Sequence, residues 1–304
     1  MSTVPSEATI EWIAAALSDA GLPHDPRTLE VCPRDGRLAV RLPDDRMAWF
    51  ALNEEGRASM LKERRVLRLL EAHCSFSAPR VVYEDKSGWD VRLLVPGVVD
   101  PPGLRERVHA DPVFAHALGS DLGQILAQQH THIPSIELDG WLPVVPNWPR
   151  PRDLPHLPEV VGDRKLLARV GEALRRRAEA LRAAEESVLV HADVGLHNIA
   201  LDRVSHRVVG LFDYEGAAFS DRHHDFAYMI FQKTHEPMLD GAIAEYERAT
   251  GVQIERDRVR LLNALAAIGF LAFRYGHAPE EAWCGRTLAM DLAWTDAALK
   301  GAGL

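Results

Sequence analysis

The sequence predicts an α+β protein in which a small lobe built on an antiparallel sheet precedes a larger, mostly helical lobe. Two observations carry this prediction. Short apolar runs separated by turn residues fill much of the first 95 residues, which is typical of strands. From Pro112 onward, apolar residues recur mainly with helical spacing. The change occurs near Val95-Pro96-Gly97, so we place the N-terminal lobe at residues 1–95 and the C-terminal lobe at residues 96–304.

In the N-terminal lobe, a leading helix is predicted at residues 8–20. Ile10, Ile13 and Leu17 have helical spacing there, and Gly21 is a stop signal. Met60 begins a second helix, which has one apolar face and extends to residue 72. Short runs bounded by turn residues predict strands at residues 29–32, 37–42, 47–52, 80–83 and 91–95. These elements form a small sheet with one main helix.

In the C-terminal lobe, residues 134–158 interrupt the helical pattern. This interval contains seven prolines together with Trp141 and Trp148, and we interpret it as a structured loop that covers a substrate cleft. Packing of the two tryptophans on the helices is the alternative. A charged helix is predicted at residues 163–186, and four helical segments follow the motif described below and extend to Leu299.

Length and charge limit the classes of function. The formal net charge of −9 argues against a broad nucleic-acid-binding surface. The longest apolar stretch, residues 261–273, contains Asn263 and is shorter than the roughly 20 residues of a membrane helix. The three cysteines are far apart, and the N-terminus is acidic where a signal peptide is basic. We therefore expect a cytoplasmic protein without nucleic-acid or membrane partners.

The segment 188–225 concentrates the polar residues that point to chemistry. A β-hairpin is predicted, with arms at residues 199–201 and 208–212. Asn198 precedes the first arm and Asp213 follows the second, so a hairpin places both at its open end. Asp193 lies on the loop that leads into the hairpin. The pattern therefore predicts two carboxylates and one amide at a single site.

Phosphoryl transfer fits these residue types. It needs divalent cations on the phosphates and a carboxylate on the attacking hydroxyl. Mg²⁺ prefers hard oxygen ligands and retains several waters, so one carboxylate and one amide suffice. Asp213 and Asn198 are the candidate metal ligands, and Asp193 is the candidate base that orients the hydroxyl and accepts its proton.

The motif H-A-D-x-x-x-x-N at residues 191–198, followed by F-D-Y-E-G at residues 212–216, resembles the aminoglycoside phosphotransferase and choline kinase superfamily, relatives of protein kinases. Three further segments are similar in order. Residues 62–70 are similar to the helix whose glutamate pairs with a phosphate-binding lysine. Residues 118–130 are similar to the helix after the hinge, and Asp221 to Asp225 matches a D-x-x-x-D segment.

The resemblance implies a protein-kinase-like fold and a small-molecule kinase that uses Mg²⁺ with ATP or GTP. It implies a catalytic loop at residues 191–198 with Asp193 as the catalytic residue, and a metal-binding segment at residues 213–216. It also implies a nucleotide-binding N-terminal lobe, with the nucleotide complex contacted by Asn198, Asp213, Glu63, Leu94 and Val95. The acceptors of the family include aminoglycosides, macrolides, choline and homoserine.

The resemblance also assigns bracing roles. It implies that His191 is a buried, hydrogen-bonded residue that braces the loop. For Asp225 it implies hydrogen bonds to the backbone of the catalytic segment, with a solvated charge at a helix start as the alternative. His197 either touches the substrate or fills the loop. Glu63 either pairs with a phosphate-binding cation or is a solvated partner of basic residues on its own helix.

The chain departs from the family at the phosphate-binding lysine. No lysine occurs between Met1 and Met60, and Ala51 or Asn53 stands at the expected place. Lys62, Arg64 and Arg65 are the candidate replacements. A kinase-like nucleotide-binding protein without catalysis is therefore an alternative. A metal-dependent hydrolase built on His191, Asp193, His197, His223 and Asp225 is another, but these residues lack the paired histidine spacing of a closed zinc site.

Overall fold

A computed structural model describes residues 9–34, 36–144, 151–182, 187–230, 235–282 and 285–304. The chain forms two compact units. The N-terminal unit comprises Met1–Val98 and Ala200–Glu215, and the C-terminal unit comprises Val99–Ile199 and Gly216–Leu304. The first unit is a sheet with helices and the second is mostly helical, which confirms the predicted α+β class.

The N-terminal unit contains a five-stranded antiparallel sheet with strand order β1-β2-β3-β5-β4. Its strands are β1 (Glu30–Arg34), β2 (Arg37–Leu42), β3 (Arg46–Ala51), β4 (Arg80–Glu84) and β5 (Trp89–Leu93). Each lies within two residues of a predicted strand. Because side chains alternate along a strand, one face of this sheet is apolar and the other carries charged residues.

Helix α1 (Ile10–Asp19) packs on the apolar face of this sheet. It begins where the Thr9 hydroxyl accepts a hydrogen bond from the Trp12 backbone N–H. Ile13 and Leu17 are fully buried. The ring of Phe50 on β3 stacks on Trp89 of β5, with centroids 5.1 Å apart. The predicted leading helix is thus confirmed within the described residues, as the apolar cover of the sheet.

Helix α2 (Glu54–His73) begins six residues earlier than its apolar pattern predicted. The reason is an N-cap: Asn53 Oδ1 accepts a hydrogen bond from the Gly56 backbone N–H at 2.8 Å. The turn at Gly36 lies against this helix start, and a methyl group at Gly56 would lie 2.1 Å from the Gly36 carbonyl oxygen. Glycine at position 56 is therefore needed for this close approach.

Residues 200–215 belong to the N-terminal unit through backbone hydrogen bonds. Strands β7 (Ile199–Leu201) and β8 (Val208–Leu211) form the predicted hairpin. Ser77 pairs with β8 through Ser77 N to Val209 O at 3.0 Å and Leu211 N to Ser77 O at 3.1 Å. Val98 pairs with Leu201 in the same way, at 2.8 and 3.0 Å. These contacts attach the hairpin to the sheet-containing unit.

The C-terminal unit is built from helices around an apolar core. Its helices are α3 (Pro101–Ala110), α4 (Pro112–His132), α5 (Leu157–Val160), α6 (Arg164–Arg182), α7 (His224–Ala227), α8 (Glu236–Thr250), α9 (Arg256–Ala272) and α10 (Leu288–Gly301).

Helices α4 and α8 approach closely through glycines. A methyl group at Gly119 would lie 1.9 Å from the Met238 carbonyl oxygen, and one at Gly241 would lie 2.1 Å from that of His116.

Two strands of the C-terminal unit frame the candidate catalytic loop. Strand β6 (Ser187–Val190) pairs antiparallel with β9 (Ala218–Asp221), an element that the sequence pattern did not predict. The loop at residues 191–198 therefore leaves the end of a paired strand. No helix in the described part of the chain is long and apolar enough to cross a membrane.

The predicted structured loop at residues 134–158 lies partly outside the described residues, as Trp148 does. Its described parts form short helical turns at Ser135–Glu137 and Leu154–His156. Trp141 Nε1 donates to the Glu137 carbonyl oxygen at 2.7 Å, and Phe219 N of β9 donates to the Pro143 carbonyl oxygen at 2.9 Å. These described parts of the loop are therefore ordered by hydrogen bonds within the C-terminal unit.

Candidate active site

Asp225 on α7 is the centre of the hydrogen-bond network around the candidate catalytic loop. Its Oδ2 accepts hydrogen bonds from the His191 backbone N–H and from Gln129 Nε2, both at 3.0 Å. Its Oδ1 accepts from the Ala192 backbone N–H at 2.7 Å. The side chain is fully buried. Asp225 therefore braces the backbone of the loop, and the solvated alternative is wrong.

His130 at the end of α4 completes this network. Its Nε2 lies 3.0 Å from Asp225 Oδ2, and its Nδ1 lies 3.2 Å from the Tyr246 hydroxyl. Burial acts to raise the pKa of Asp225, but His130, His191 and the Ala192 backbone N–H outweigh it and hold the pKa below its usual value. The carboxylate is therefore ionised and saturated with donors.

The loop that Asp225 holds contains a strained residue. Ala192 has φ of +66°, in the left-handed region that residues with a Cβ rarely adopt. A conformation of this kind costs about 1–3 kcal/mol and persists only where surrounding contacts fix it. His191, which is fully buried, adds a contact because its Nδ1 accepts from the Asp193 backbone N–H at 3.3 Å. The backbone on both sides of Ala192 is thus fixed.

The side chain of Asp193, the candidate base, is held by one of its two carboxylate oxygens. Oδ2 lies 3.1 Å from His197 Nε2 and 3.1 Å from Asn198 Nδ2. The side chain is 35% exposed. Because both contacts involve Oδ2, Oδ1 is the atom that a substrate hydroxyl would meet. His197 therefore contacts the candidate base, which the sequence had left undecided.

The side-chain amide of Asn198 both holds the loop and offers an oxygen that suits a metal ion. The side chain is buried, and its Nδ2 donates to the backbone oxygen of Asp193 at 3.0 Å as well as to Oδ2. The amide nitrogen is thus used within the loop, and the amide oxygen is the atom suited to a cation. A hard oxygen donor of this kind fits Mg²⁺.

Asp213, the other candidate ligand, belongs to the N-terminal unit and follows β8. Its side chain is exposed and its φ is +70°. An exposed carboxylate is compatible with a cation that retains several waters, and a non-glycine residue at this φ often marks a functional segment. The structure thus brings Asp193, His197 and Asn198 together in the C-terminal unit, whereas the other candidate residues lie in the N-terminal unit.

Glu63 is buried at 3% exposure on the inner face of α2. Its Oε2 lies 2.7 Å from Arg92 Nη1 and 3.7 Å from Arg37 Nη1. Burial acts to raise the pKa of Glu63, but the charges of Arg92 and Arg37 lower it by more than burial raises it. The pKa of Glu63 therefore lies below its usual value. The alternative in which Glu63 is a solvated partner on its own helix is therefore wrong.

The candidate replacements for the missing lysine have different environments. Arg64 is buried, with Nη1 2.7 Å from Glu84 and Nε 3.4 Å from Asp90. Lys62 Nζ donates to the backbone oxygen of Glu215, and burial is the main cause of its lowered pKa. Asn53, one of the two positions at which a lysine was expected, instead caps α2.

Leu94 and Val95 directly follow β5. The backbone N–H of Leu94 donates to the Asp45 carbonyl oxygen at 2.8 Å. Val95 is buried and lies beside Gly210, where an added methyl group would come within 2.9 Å of the valine side chain. A nucleotide contact at Leu94 would therefore use its carbonyl oxygen or side chain, because its N–H already has a partner.

Sequence reasoning missed several residues that the structure places in these networks. Gln129 and His130 brace Asp225, and Arg37 and Arg92 pair with Glu63. A signal for the first pair was present, since the otherwise apolar helix ends in a run of polar residues at 128–132. The arginines lie on strands distant in sequence from Glu63, so no local pattern indicates their pairing.

The histidines and carboxylates of the hydrolase alternative do not assemble into a metal site. Within the described ranges, no group of three or more histidine, cysteine or acidic side chains is arranged to hold a metal ion. His223 instead contacts Asp221 through Nδ1 at 2.6 Å and accepts from the Glu255 backbone N–H through Nε2 at 3.0 Å. Its ring is thus used within the C-terminal unit.

Solved structures of several phosphotransferases resemble the fold of this chain. The GDP complex of wild-type aminoglycoside 2'-phosphotransferase-IIIa superposes with a TM-score of 0.64 at 16% identity, over 98% of each chain. The ternary complex of streptomycin, ATP and APH(2")-IIa gives 0.65 at 15% identity, over 95% of each chain. Macrolide 2'-phosphotransferase MphH from Brachybacterium faecium gives 0.57 at 21% identity, over 95% of this chain and 97% of that chain.

These similarities confirm the protein-kinase-like fold that the sequence predicted. No curated protein is significantly similar in sequence. The sequence model of the phosphotransferase enzyme family, however, matches residues 23–262, which is most of the chain. The chain therefore belongs to the phosphotransferase enzyme family.

Proposed function

We propose that this protein is a small-molecule kinase that transfers the γ-phosphoryl group of ATP or GTP to a hydroxyl group. The observation that carries the proposal is the arrangement of Asp193. Its Oδ2 is held by His197 and Asn198, its side chain remains partly exposed, and the loop around it is fixed by Asp225. A carboxylate with one fixed and one available oxygen suits the orientation of a hydroxyl nucleophile.

In the proposed reaction, the acceptor hydroxyl meets Asp193 Oδ1. The hydroxyl oxygen forms a bond to the γ-phosphorus, the bond from that phosphorus to the bridging oxygen breaks, and a nucleoside diphosphate leaves. The proton of the hydroxyl passes to Asp193. Asn198 and Asp213 would supply protein ligands for Mg²⁺, which when bound neutralises charge on the phosphates.

The similar structures support a class of acceptor. The similar structures include complexes of aminoglycoside phosphotransferases with streptomycin and with nucleotides, and a macrolide phosphotransferase. A polyhydroxylated small molecule, such as an aminoglycoside-like or macrolide-like compound, is therefore the proposed substrate. The N-terminal unit, which contains Glu63 and its partners Arg37 and Arg92, is the proposed nucleotide-binding part. The loop at residues 134–158 is the proposed cover of the substrate.

The test is turnover of ATP and of GTP, each with Mg²⁺, over a panel of aminoglycosides, macrolides and simple alcohols. Release of ADP or GDP that depends on one acceptor, with an 80-dalton mass increase of that acceptor, is the expected result. Asp193→Asn keeps the shape of the side chain and should reduce kcat by about 100-fold or more, because the base is lost. Nucleotide binding, measured as a thermal shift, should persist in this variant.

The outcomes separate the alternatives. Stabilisation by nucleotide without turnover on any acceptor would favour a nucleotide-binding protein that lacks catalysis. No stabilisation by either nucleotide would count against the kinase proposal as a whole. Near-normal turnover by Asp193→Asn would show that the assignment of the base is wrong while the activity stands.

A further inference from the structure

The charged face of the N-terminal sheet and the helix α2 contain buried arginines. Among the described residues of this unit, those buried below a tenth of their surface are Arg37, Arg64 and Arg92. A buried guanidinium is costly unless acidic or polar partners surround it. The partners of each arginine therefore show which of them has capacity left for a further anion.

Arg64 and Arg92 are well compensated. Arg64 lies 2.7 Å from Glu84 and 3.4 Å from Asp90, and Asp90 is fully buried. Arg92 lies 2.7 Å from Glu63 and 2.8 Å from Asp90. Each of these arginines thus has two carboxylates, at least one of them buried. The charge of each is therefore largely offset by carboxylates of the chain itself.

Arg37 is compensated less completely. Its only buried carboxylate among the described residues is Glu63 at 3.7 Å, beyond hydrogen-bond distance and shared with Arg92. Its other acidic contact is the carboxylate of Glu215, which is 43% exposed. Among the described residues, Arg37 Nε has no hydrogen-bond acceptor, although the side chain is only 5% exposed. Arg64 Nε and Nη1 also lack a hydrogen bond of good geometry, but Arg64 has a buried carboxylate, that of Asp90, at 3.4 Å. The charge of Arg37 is thus the one most available to an arriving anion.

The position of Arg37 is fixed by its surroundings. It is the first residue of β2 and lies opposite Ala51 of β3 in the register of the sheet. Its guanidinium lies over the ring of Trp49, 5.1 Å from the centroid. The preceding turn is tied to β3 because Leu52 N donates to the Gly36 carbonyl oxygen at 2.8 Å. Arg37 is therefore preorganised and does not have to be ordered by a ligand.

Glu215 receives two cationic contacts. Arg37 Nη2 donates to its carboxylate, and Lys62 Nζ donates to its backbone oxygen. The carboxylate of Glu215 is thus an anion of the chain itself that is bound by Arg37 and still partly open to water, and Lys62 is held at the same residue by the backbone oxygen. An external anion with several negative oxygens would compete for the same donors, since a phosphate accepts a guanidinium fork as a carboxylate does.

We propose that Arg37 and Lys62 form the binding site for the terminal phosphates of the nucleotide, and that the Glu215 carboxylate occupies Arg37 until a polyphosphate displaces it. The inference rests on the proposed function, because it assigns the phosphate-binding residues of the same reaction. It places this role on a β2 arginine opposite Ala51, one of the two positions at which a lysine was expected.

The test measures binding of inorganic tripolyphosphate to the full chain by calorimetry, in buffer with a chelator and without divalent cations. Arg37→Gln should weaken binding by about 10-fold or more, because a charge-assisted fork is lost. Arg37→Lys, which keeps the charge without the fork, should lie between it and the wild type. Glu215→Gln should strengthen binding several-fold, because the competing carboxylate is removed.

Arg41→Gln is the matched control. Arg41 lies on the same strand and face as Arg37, but it is exposed and pairs with the exposed Asp45. This variant should bind tripolyphosphate as the wild type does. Arg37→Gln should remain folded because Glu63 keeps Arg92 at 2.7 Å, and its unfolding midpoint in urea checks this.

Wild-type binding by a folded Arg37→Gln would overturn the inference, and so would weaker binding by Glu215→Gln. Neither result would affect the proposed function, which is tested by turnover. Conversely, tripolyphosphate binding that depends on Arg37 in a protein without turnover would support the site and count against the kinase proposal. A variant of Arg37 whose KM for nucleotide rises while its kcat is unchanged would link the two.

Discussion

Two buried carboxylates, Asp225 in the C-terminal unit and Glu63 in the N-terminal unit, are kept ionised by different kinds of partner. Both have pKa values below the usual range despite burial. The partners of Asp225 are backbone N–H groups, one amide and one histidine, all at hydrogen-bond distance. The partners of Glu63 are two arginines, one close at 2.7 Å and one at 3.7 Å.

The difference shows how each network can be used. A carboxylate saturated by short contacts fixes the groups around it, and Asp225 accordingly fixes the strained backbone at Ala192. A carboxylate shared by two arginines leaves one of them incompletely neutralised. The first network therefore positions the candidate catalytic loop, and the second leaves Arg37 available for a ligand.

The largest expected effect is that of Asp225→Asn. The NH₂ group of the new amide would face N–H donors, and buried N–H groups would be left without acceptors. We therefore expect the free energy of unfolding to fall by about 3–5 kcal/mol. Urea unfolding measures it, and turnover should be lost as well. Asp240→Asn is the control, since Asp240 is about half exposed, pairs with Arg256, and should change stability by less than about 1 kcal/mol. Equal stabilities for the two variants would contradict the bracing role.

The next largest effect concerns mild acid, to which the two units should respond differently. His235 in the C-terminal unit is buried, and neither ring nitrogen has a hydrogen-bond partner within the described residues. Burial, and next the charges of Arg105 and His109, lower its pKa from 6.5 to about 4. The pKa of His235 is lower in the folded state than in the unfolded state. Its contribution to the free energy of unfolding is therefore fully present above pH 6.5 and is lost as the pH decreases toward 4. At pH 5 the loss expected from His235 is about 2 kcal/mol.

The measurement is urea unfolding at pH 7.5 and pH 5 for the wild type and for His235→Leu. The leucine variant should lose about 2 kcal/mol less than the wild type between the two pH values. His116→Leu, at an exposed position of α4, is the matched control and should behave as the wild type does. The buried network of the N-terminal unit should not add to this loss, because the arginines stay charged and the pKa of Glu63 is lowered. Burial raises the pKa of Asp90 in the same network, so protonation of Asp90 acts in the opposite direction. An unchanged pH dependence in His235→Leu would show that the histidine is hydrated.

The sequence predicts the strands and helices around the candidate catalytic loop well, because they follow from local patterns. Strand alternation and turn residues located the five strands, and the hairpin was found with its first arm at Ile199–Leu201. The capping by Asn53 and the short strand β9 were missed, since a single polar residue or a four-residue run gives little periodic signal. The environments of Asp225 and Glu63 could not be predicted. His130 lies 95 residues before Asp225, and Arg37 and Arg92 meet Glu63 only because the sheet brings them together.

The smallest expected effect concerns His197 and separates positioning of Asp193 from the bracing of the loop. His197 Nε2 lies 3.1 Å from Asp193 Oδ2, and its ring occupies the space above Gly195, where a methyl group would come within 2.4 Å. Loss of one such hydrogen bond costs about 1 kcal/mol, so His197→Ala should reduce kcat by roughly 5- to 10-fold with little change in KM for nucleotide.

His197→Gln tests the nature of this contact, because its amide N–H can donate to the same oxygen without a ring. If His197 acts by orienting the carboxylate, the glutamine variant should regain most of the wild-type kcat. The free energy of unfolding should stay close to that of the wild type in both variants, because the histidine is half exposed. A decrease in stability comparable to that of Asp225→Asn would instead place His197 among the residues that hold the loop. Equal kcat in the alanine variant and the wild type would leave Asn198 alone as the group that fixes Oδ2, and the available oxygen of Asp193 would then depend on a single amide contact at 3.1 Å.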